Sequence, residues 1–181
     1  VEAAKAAGIH IPTLCYLKGI NEIGACRVCL VEVKGARGLV PACVTRVSEG
    51  MEVLTNTKVV RDTRKSMVEL ILSDHNKKCL TCPRNTKCEL QDLCAEVGID
   101  SIPYRNQPRI EPVDDKSPSI VRDNSKCVMC RRCVSTCQNV QKTNAIGVEN
   151  RGIDSRVKCA FGHSLADSNC INCGQCIIAC P

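Results

Sequence analysis

The chain has 181 residues with no Trp, one Phe and two Tyr, enough for one or two ordinary domains but excluding a large aromatic core. Its 17 Cys mark either a disulfide scaffold or a metal protein. The formal net charge of +6 does not mark a nucleic-acid binder, because basic and aromatic residues are not interleaved in any run. No apolar stretch reaches the roughly 18 residues of a membrane span, and the N-terminus lacks the basic and apolar regions of a signal peptide. These features predict a soluble, cytoplasmic module.

In chain order, residues Val1 to Ala7 form an Ala-rich helical segment that Gly8 stops; with no initiating Met and nothing upstream to pack against, the chain reads as a fragment beginning inside an element. From Arg27 to Val33 and from Leu39 to Val44 apolar residues alternate around a Gly35-Ala36-Arg37-Gly38 turn, and Met51 to Leu54 adds a short strand. The first unit is thus predicted to be a small sheet with a helix. Between Thr57 and Leu72, Val60, Met67 and Ile71 with Val59 and Leu70 recur at helical spacing, and the helix should end at Ser73-Asp74-His75. After a Cys-rich loop, Cys88 to Val97 reads as a second helix, with Leu90, Leu93, Cys94 and Val97 on one face and Gly98 as its cap. Pro103, Pro108, Pro112 and Pro118 mark an extended connector, and the last unit begins near Val121. The expected organisation is α+β, with units at 1–56, 57–102 and 121–181 and the connector at 103–120.

The last unit contains an internal repeat with a period of 43 residues: Cys127-x2-Cys130-x2-Cys133-x3-Cys137, then Cys170-x2-Cys173-x2-Cys176-x3-Cys180-Pro181. Such close thiols pair poorly with each other in disulfides but converge well on metal. A tight loop of this kind delivers three thiolates to one [4Fe–4S] cubane while its fourth Cys reaches the other. The crossed rule joins Cys127, Cys130 and Cys133 with Cys180, and Cys170, Cys173 and Cys176 with Cys137. Two zinc knuckles would leave thiolates in each run without a tetrahedral role. Gln138, not Pro, follows Cys137, which should alter the local turn without removing a ligand.

Two further constellations precede the repeat. His75-x3-Cys79-x2-Cys82-x5-Cys88 places three thiols and an imidazole within a short segment, and spacing alone leaves open a zinc site completed by His75 or by Cys94. Cys15-x10-Cys26-x2-Cys29-x13-Cys43 departs from the plant-type ferredoxin spacing but keeps a C-x2-C core and a distant fourth Cys. Gly24 and Ala25 before the pair are small enough for backbone N–H groups to approach metal-bound sulfur closely.

The His75 pattern, followed by Glu89-Leu90-Gln91-Asp92-Leu93, resembles the His-ligated [4Fe–4S] site of iron-only hydrogenases and of the large iron–sulfur subunit of respiratory NADH dehydrogenase. That resemblance makes His75 a ligand with Cys79, Cys82 and Cys88. The Cys15, Cys26, Cys29 and Cys43 constellation resembles the N-terminal [2Fe–2S] domain of the same families, a ferredoxin-like β-grasp. That fold opens with a hairpin not seen here, implying a truncation of about 15 to 20 residues, two short strands and a turn.

The order of [2Fe–2S], His-ligated cubane and double cubane resembles the N-terminal relay of iron-only hydrogenases, most closely the multisubunit NAD(P)-linked type. Val121-Arg122-Asp123-x-Ser125-Lys126-Cys127, Cys130-Arg131-Arg132-Cys133 and Ala160-Phe161-Gly162-x-x-Leu165-Ala166-Asp167-Ser168-x-Cys170 carry this resemblance. It implies one [2Fe–2S] and three [4Fe–4S] clusters in a row, with no catalytic residue in view and the H-cluster in a C-terminal part beyond Pro181. It also implies partners, either ferredoxin or an NAD(P)-binding diaphorase-type subunit in a hetero-oligomer, with no nucleic acid. Relay regions of NADH dehydrogenases and NAD-linked formate dehydrogenases are the alternative. Fifteen cysteine thiolates and four cores of charge 2+ would bring the loaded chain to roughly −1, so the Lys and Arg excess reads as charge compensation. Cys94 and Cys159 remain as small core residues, His10 and His163 as structural or surface residues, and Arg131-Arg132 as a solvated charge pair.

Overall fold

The computed structural model describes residues 1–104 and 111–181. Helix α1 (Glu2–Ala6) runs to Gly8, whose φ of +73° is a conformation open to glycine. A three-stranded antiparallel sheet follows, with β1 (Leu30–Val33) between β2 (Val40–Pro41) and β3 (Val53–Leu54). Val31 faces Val40 and Val33 faces Val53. These strands are shorter than the apolar alternation predicts, because Arg27 turns left-handed at φ 58° and only from Leu30 does the chain extend. Ile11, Cys29, Val31, Ala42 and Cys43 form the core beneath the sheet.

Helix α2 (Lys58–Ser73) starts where the Thr57 hydroxyl accepts the Val60 N–H, a cap that satisfies one of the orphan donors of the first turn. Its inward face differs from the predicted stripe. Val60, Arg64, Val68 and Leu72 are buried at i, i+4 spacing, whereas Val59 and Leu70 face solvent. The apolar count missed this face because Arg64 lies on it. Its stem is buried while Nε and Nη2 donate to the Leu30 carbonyl at 3.1 and 2.8 Å, so the charge is not left without a partner.

Helix α3 (Glu89–Glu96) spans the predicted segment, with Leu90 and Leu93 buried and Gly98 at φ +67° beyond its end. Both helices pack on Leu14 and Val28 of the first unit, forming one continuous core. The described part of the connector, 103–104 and 111–120, contains no helix; Pro108 lies outside the described residues. Asp114 and Arg122 form an isolated antiparallel bridge, and the Arg122 guanidinium returns to Asp114 at 2.9 Å.

The last unit comprises α4 (Arg132–Ser135), continued as a π-turn over Thr136–Val140, the antiparallel pair β4 (Gly147–Glu149) and β5 (Arg156–Lys158), and α5 (Gln175–Ile178). Ile120, Val134, Ile146, Val157, Cys159 and Leu165 form its core. The internal repeat extends to the backbone. Met129 (φ 54°) and Arg131 (φ 63°) are left-handed, as are Asn172 (φ 54°) and Gly174 (φ 71°) at the matching positions. No helix among the described residues is long and apolar enough to cross a membrane.

Candidate metal centres

The first set gathers around the loop that leads into β1. Cys15, Cys29 and Cys43 are buried, and Cys26 is half-buried. The Cys26 N–H points at Cys15 Sγ at 3.5 Å. Cys15 and Cys26 interact through their side chains: the Cys15 thiol is pushed well up and that of Cys26 is lowered to about 6. Burial, with the Cys29 side chain beside it, raises Cys43 to about 12. Backbone N–H groups of Ala25 and Gly24 reach Cys15 and Cys43, the close approach expected of small residues. One lowered thiol beside the raised Cys15 and Cys43, with backbone donors approaching the sulfurs, suits a [2Fe–2S] core whose iron supplies positive charge to the set.

In the last unit, Cys137, Cys170, Cys173 and Cys176 line one cavity together with apolar Ile120, Ile146 and Leu165. This cavity joins three thiols of the second run to the fourth of the first. Burial raises the thiols of Cys130, to about 12, and of Cys133; at both, Cys180 is among the neighbouring thiols. Although Cys180 is exposed as a residue, its sulfur sits near Cys127, Arg84, Arg132 and Cys176. The chain passage that permits this crossing differs between the runs. Gln138 lets the helix continue past Cys137 as a π-turn, whereas Pro181 follows Cys180. In the first run the left-handed Met129 directs its N–H to Cys127 Sγ at 3.4 Å. Holding Met129 and Arg131 left-handed costs about 1–2 kcal/mol each, a strain the second run avoids with Asn172 and Gly174.

In the His75 constellation all four side chains are half-buried. Cys79 begins a short 3₁₀ turn ending at Thr81, and Cys88 caps α3. The His75 Nδ1 atom is buried with no hydrogen-bond partner among the described residues. Burial first, then Lys77, lowers the imidazole pKa, keeping a neutral ring with a lone pair available to metal. Cys94 lies close enough to Cys88 and Cys79 to feel both, with burial raising it to about 11. Cys159 is fully buried and accepts from Arg122 Nη1 at 3.8 Å. His10 faces Glu96 at the surface, and His163 lies edge-on to Phe161. Among the described residues, no three His, Cys, Asp or Glu side chains stand close enough for a single metal ion. Four thiols around a shared cavity form the arrangement that a polynuclear core needs.

The expected solvated pair Arg131-Arg132 is corrected by the structure. Arg131 is exposed, but Arg132 is buried and forms a two-pronged ion pair with Glu89 at 2.7 and 2.8 Å. Only its position on the inner side of the short α4 separates it from its neighbour, which the sequence does not signal. Arg84, between Cys82 and Cys88, donates to the carbonyls of Ile177 and Cys180, both at 2.7 Å. Asn76, beside His75, donates its N–H to the Ser125 carbonyl at 2.9 Å. Asn21, fully buried, links the first set to Cys130. Both preceding constellations therefore abut the Cys127, Cys130, Cys133 and Cys180 set.

Comparisons with known proteins agree with these regions. Residues 1–58 match the family described as 2Fe-2S iron-sulfur cluster binding domain, and residues 64–103 match the NADH-ubiquinone oxidoreductase-G iron-sulfur binding region. The chain is 46% identical over its whole length to the NADP-reducing hydrogenase subunit HndD of Solidesulfovibrio fructosivorans, of which it spans 32%. It is 36% identical over 161 residues, 87% of its length, to the NAD-reducing hydrogenase HoxS subunit gamma of Cupriavidus necator, covering 67% of that protein. A crystal structure of an NAD+-reducing [NiFe]-hydrogenase in its H2-reduced state superposes with a TM-score of 0.85 at 28% identity, over 92% of this chain and 70% of that one.

Proposed function

Because the chain belongs to the family of iron–sulfur electron-transfer subunits of NAD(P)-linked hydrogenases and NADH dehydrogenase-type complexes, we propose that it is the relay region of a multisubunit, NAD(P)-linked iron-only hydrogenase. The crossed cavity of Cys137 with Cys170, Cys173 and Cys176 carries the relay reading most directly. In this reading Cys15, Cys26, Cys29 and Cys43 hold a [2Fe–2S] core; His75, Cys79, Cys82 and Cys88 hold a cubane; and the two crossed sets hold two more. Bound clusters supply reversible one-electron storage, with no bond made or broken in the protein. The chain fixes each set on a turn stiffened by left-handed residues, surrounds the thiols with apolar side chains and directs backbone N–H groups to sulfur.

The contacts favour a branched relay over four centres in a row. Asn21 from one side, and Arg84, Asn76 and Glu89 from another, all bond to the segments that carry Cys127, Cys130, Cys133 and Cys180. Two inputs meeting at one site suit a subunit serving both a soluble carrier such as ferredoxin and an NAD(P)-binding diaphorase-type subunit.

A second reading rests on the NADH-ubiquinone oxidoreductase-G match over 64–103: the same relay in an NADH dehydrogenase or NAD-linked formate dehydrogenase. Addition of hydrogen to the anaerobic parent polypeptide separates the two. EPR signals of these centres should appear with hydrogen alone if the parent is an iron-only hydrogenase. Signals that appear only with NAD(P)H and a diaphorase subunit would overturn that assignment.

A further inference from the structure

Asn21 is fully buried, and its amide makes three hydrogen bonds to three different places. Nδ2 donates to the Cys15 carbonyl at 2.7 Å and to the Cys130 carbonyl, 109 residues away in sequence, at 3.0 Å. Two carbonyl oxygens can only accept, so the amide must present its NH2 group to both. On the far side, Oδ1 accepts from the Ser135 hydroxyl at 2.6 Å, which fixes the amide plane. Its own backbone is also pinned, by paired bonds with Leu17, and Asn139 adds a bond to the neighbouring Ile20 carbonyl at 3.4 Å.

A leucine would serve this buried position for packing alone, and burying an amide without its partners would cost about 1–3 kcal/mol. The side chain instead spends both its donors on the carbonyls of two cysteines that belong to different sets. Arg132, from the same short helix as Ser135, lies in the field of both the Cys130 and the Cys15 thiols.

We propose that Asn21 is a positioning residue that couples the Cys15 site electronically to the Cys130 site, joining the two ligand cysteines through a single amide nitrogen. The inference rests on the cluster assignment above. One electron lost at the Cys15 site is the electron gained at the Cys130 site, and Asn21 itself changes neither bond nor proton. The continuous route runs from Cys15 Sγ through its own carbonyl, across Nδ2, to the Cys130 carbonyl and Sγ. Ser135 serves the route by holding the amide in register.

The test uses the full parent polypeptide, reduced by a short light or radiolysis pulse, with rapid-freeze EPR following the [2Fe–2S] and [4Fe–4S] signals. Asn21→Leu is expected to keep its iron content and midpoint potentials while the fast exchange between the [2Fe–2S] signal and the cubane of Cys127, Cys130, Cys133 and Cys180 is lost. Exchange between the two crossed cubanes should be unchanged. Ser135→Ala, which leaves both donors in place, should give an intermediate slowing, and it carries the test if Asn21→Leu does not assemble. Wild-type exchange rates in Ser135→Ala and in fully loaded Asn21→Leu would overturn the proposal. Absence of a [2Fe–2S] signal from the wild-type protein would overturn the cluster assignment instead, so the two failures are distinct.

Discussion

Cys180→Ala is expected to empty the site of Cys127, Cys130 and Cys133 while leaving that of Cys170, Cys173 and Cys176 filled. The reason is the crossing: the fourth thiol of each run is carried away from its own loop, Cys137 by the π-turn into the cavity of the second run, Cys180 toward Cys127 and Arg84. Cys137→Ala should have the reciprocal effect. Each variant should lose about four iron atoms per chain, from one cubane, and the two should differ in which EPR signal disappears. In the Cys180 variant the branch point itself is lost, so both the [2Fe–2S] and the His-ligated centre should stay reduced after the remaining cubane has been reoxidised. If Cys180→Ala instead empties the site of its own run, ligation is uncrossed.

His75→Cys is expected to keep the iron content and lower the midpoint potential of one cubane. A neutral imidazole leaves a cluster one unit less negative than thiolate does, which favours the reduced state. Replacing it adds a negative charge in a site where burial already lowers the imidazole pKa, so the added anion is poorly screened by water. Nδ1 is buried without a hydrogen-bond partner among the described residues, so its replacement breaks no hydrogen bond at that atom. An EPR-monitored redox titration should show one signal moved to lower potential and the other two cubanes unmoved. Unchanged potentials for all three would remove His75 from the ligand set and turn attention to Cys94, which stands near Cys88 and Cys79.

The sequence carried the sites further than the surroundings. Thiol spacing within each run is a local property; the grouping of Cys137 with the second run comes from the crossed rule for two-cluster ferredoxins, and those four residues line one cavity. The ends of α2 and α3 were equally legible, because Thr57, Asp74 and Gly98 mark them through local chemistry. The inward face of α2 was not, since Arg64 lies on it and only a distant carbonyl, that of Leu30, makes its burial tolerable. Arg132 and Asn21 were hidden for the same reason. Their partners Glu89, Cys15, Cys130 and Ser135 are brought to them by the tertiary fold, and no spacing within the chain announces a contact of that range. The strained Met129 and Arg131 were not read from the sequence; the signal available was Asn172 and Gly174, residues that accept a left-handed conformation, at the equivalent repeat positions.

Arg132 also shows how the fold handles charge near these sites. Its head is buried against Glu89, whose side chain remains half-exposed, and Cys130 and Cys15 both lie within its field. A buried guanidinium of this kind is poor evidence for stability by itself. In the proposed relay the role of Arg132 is to hold a guanidinium, paired with Glu89, within the field of both the Cys130 and the Cys15 thiols.

Iron, acid-labile sulfide and zinc content of the anaerobically purified protein, with EPR of the reduced sample, tests the four-centre relay most directly. The account predicts about 14 iron atoms per chain, one [2Fe–2S] and three [4Fe–4S] cores, and no stoichiometric zinc. About 12 would mean that the Cys15, Cys26, Cys29 and Cys43 site stands empty. Zinc in place of iron at His75, Cys79, Cys82 and Cys88 would contradict the relay.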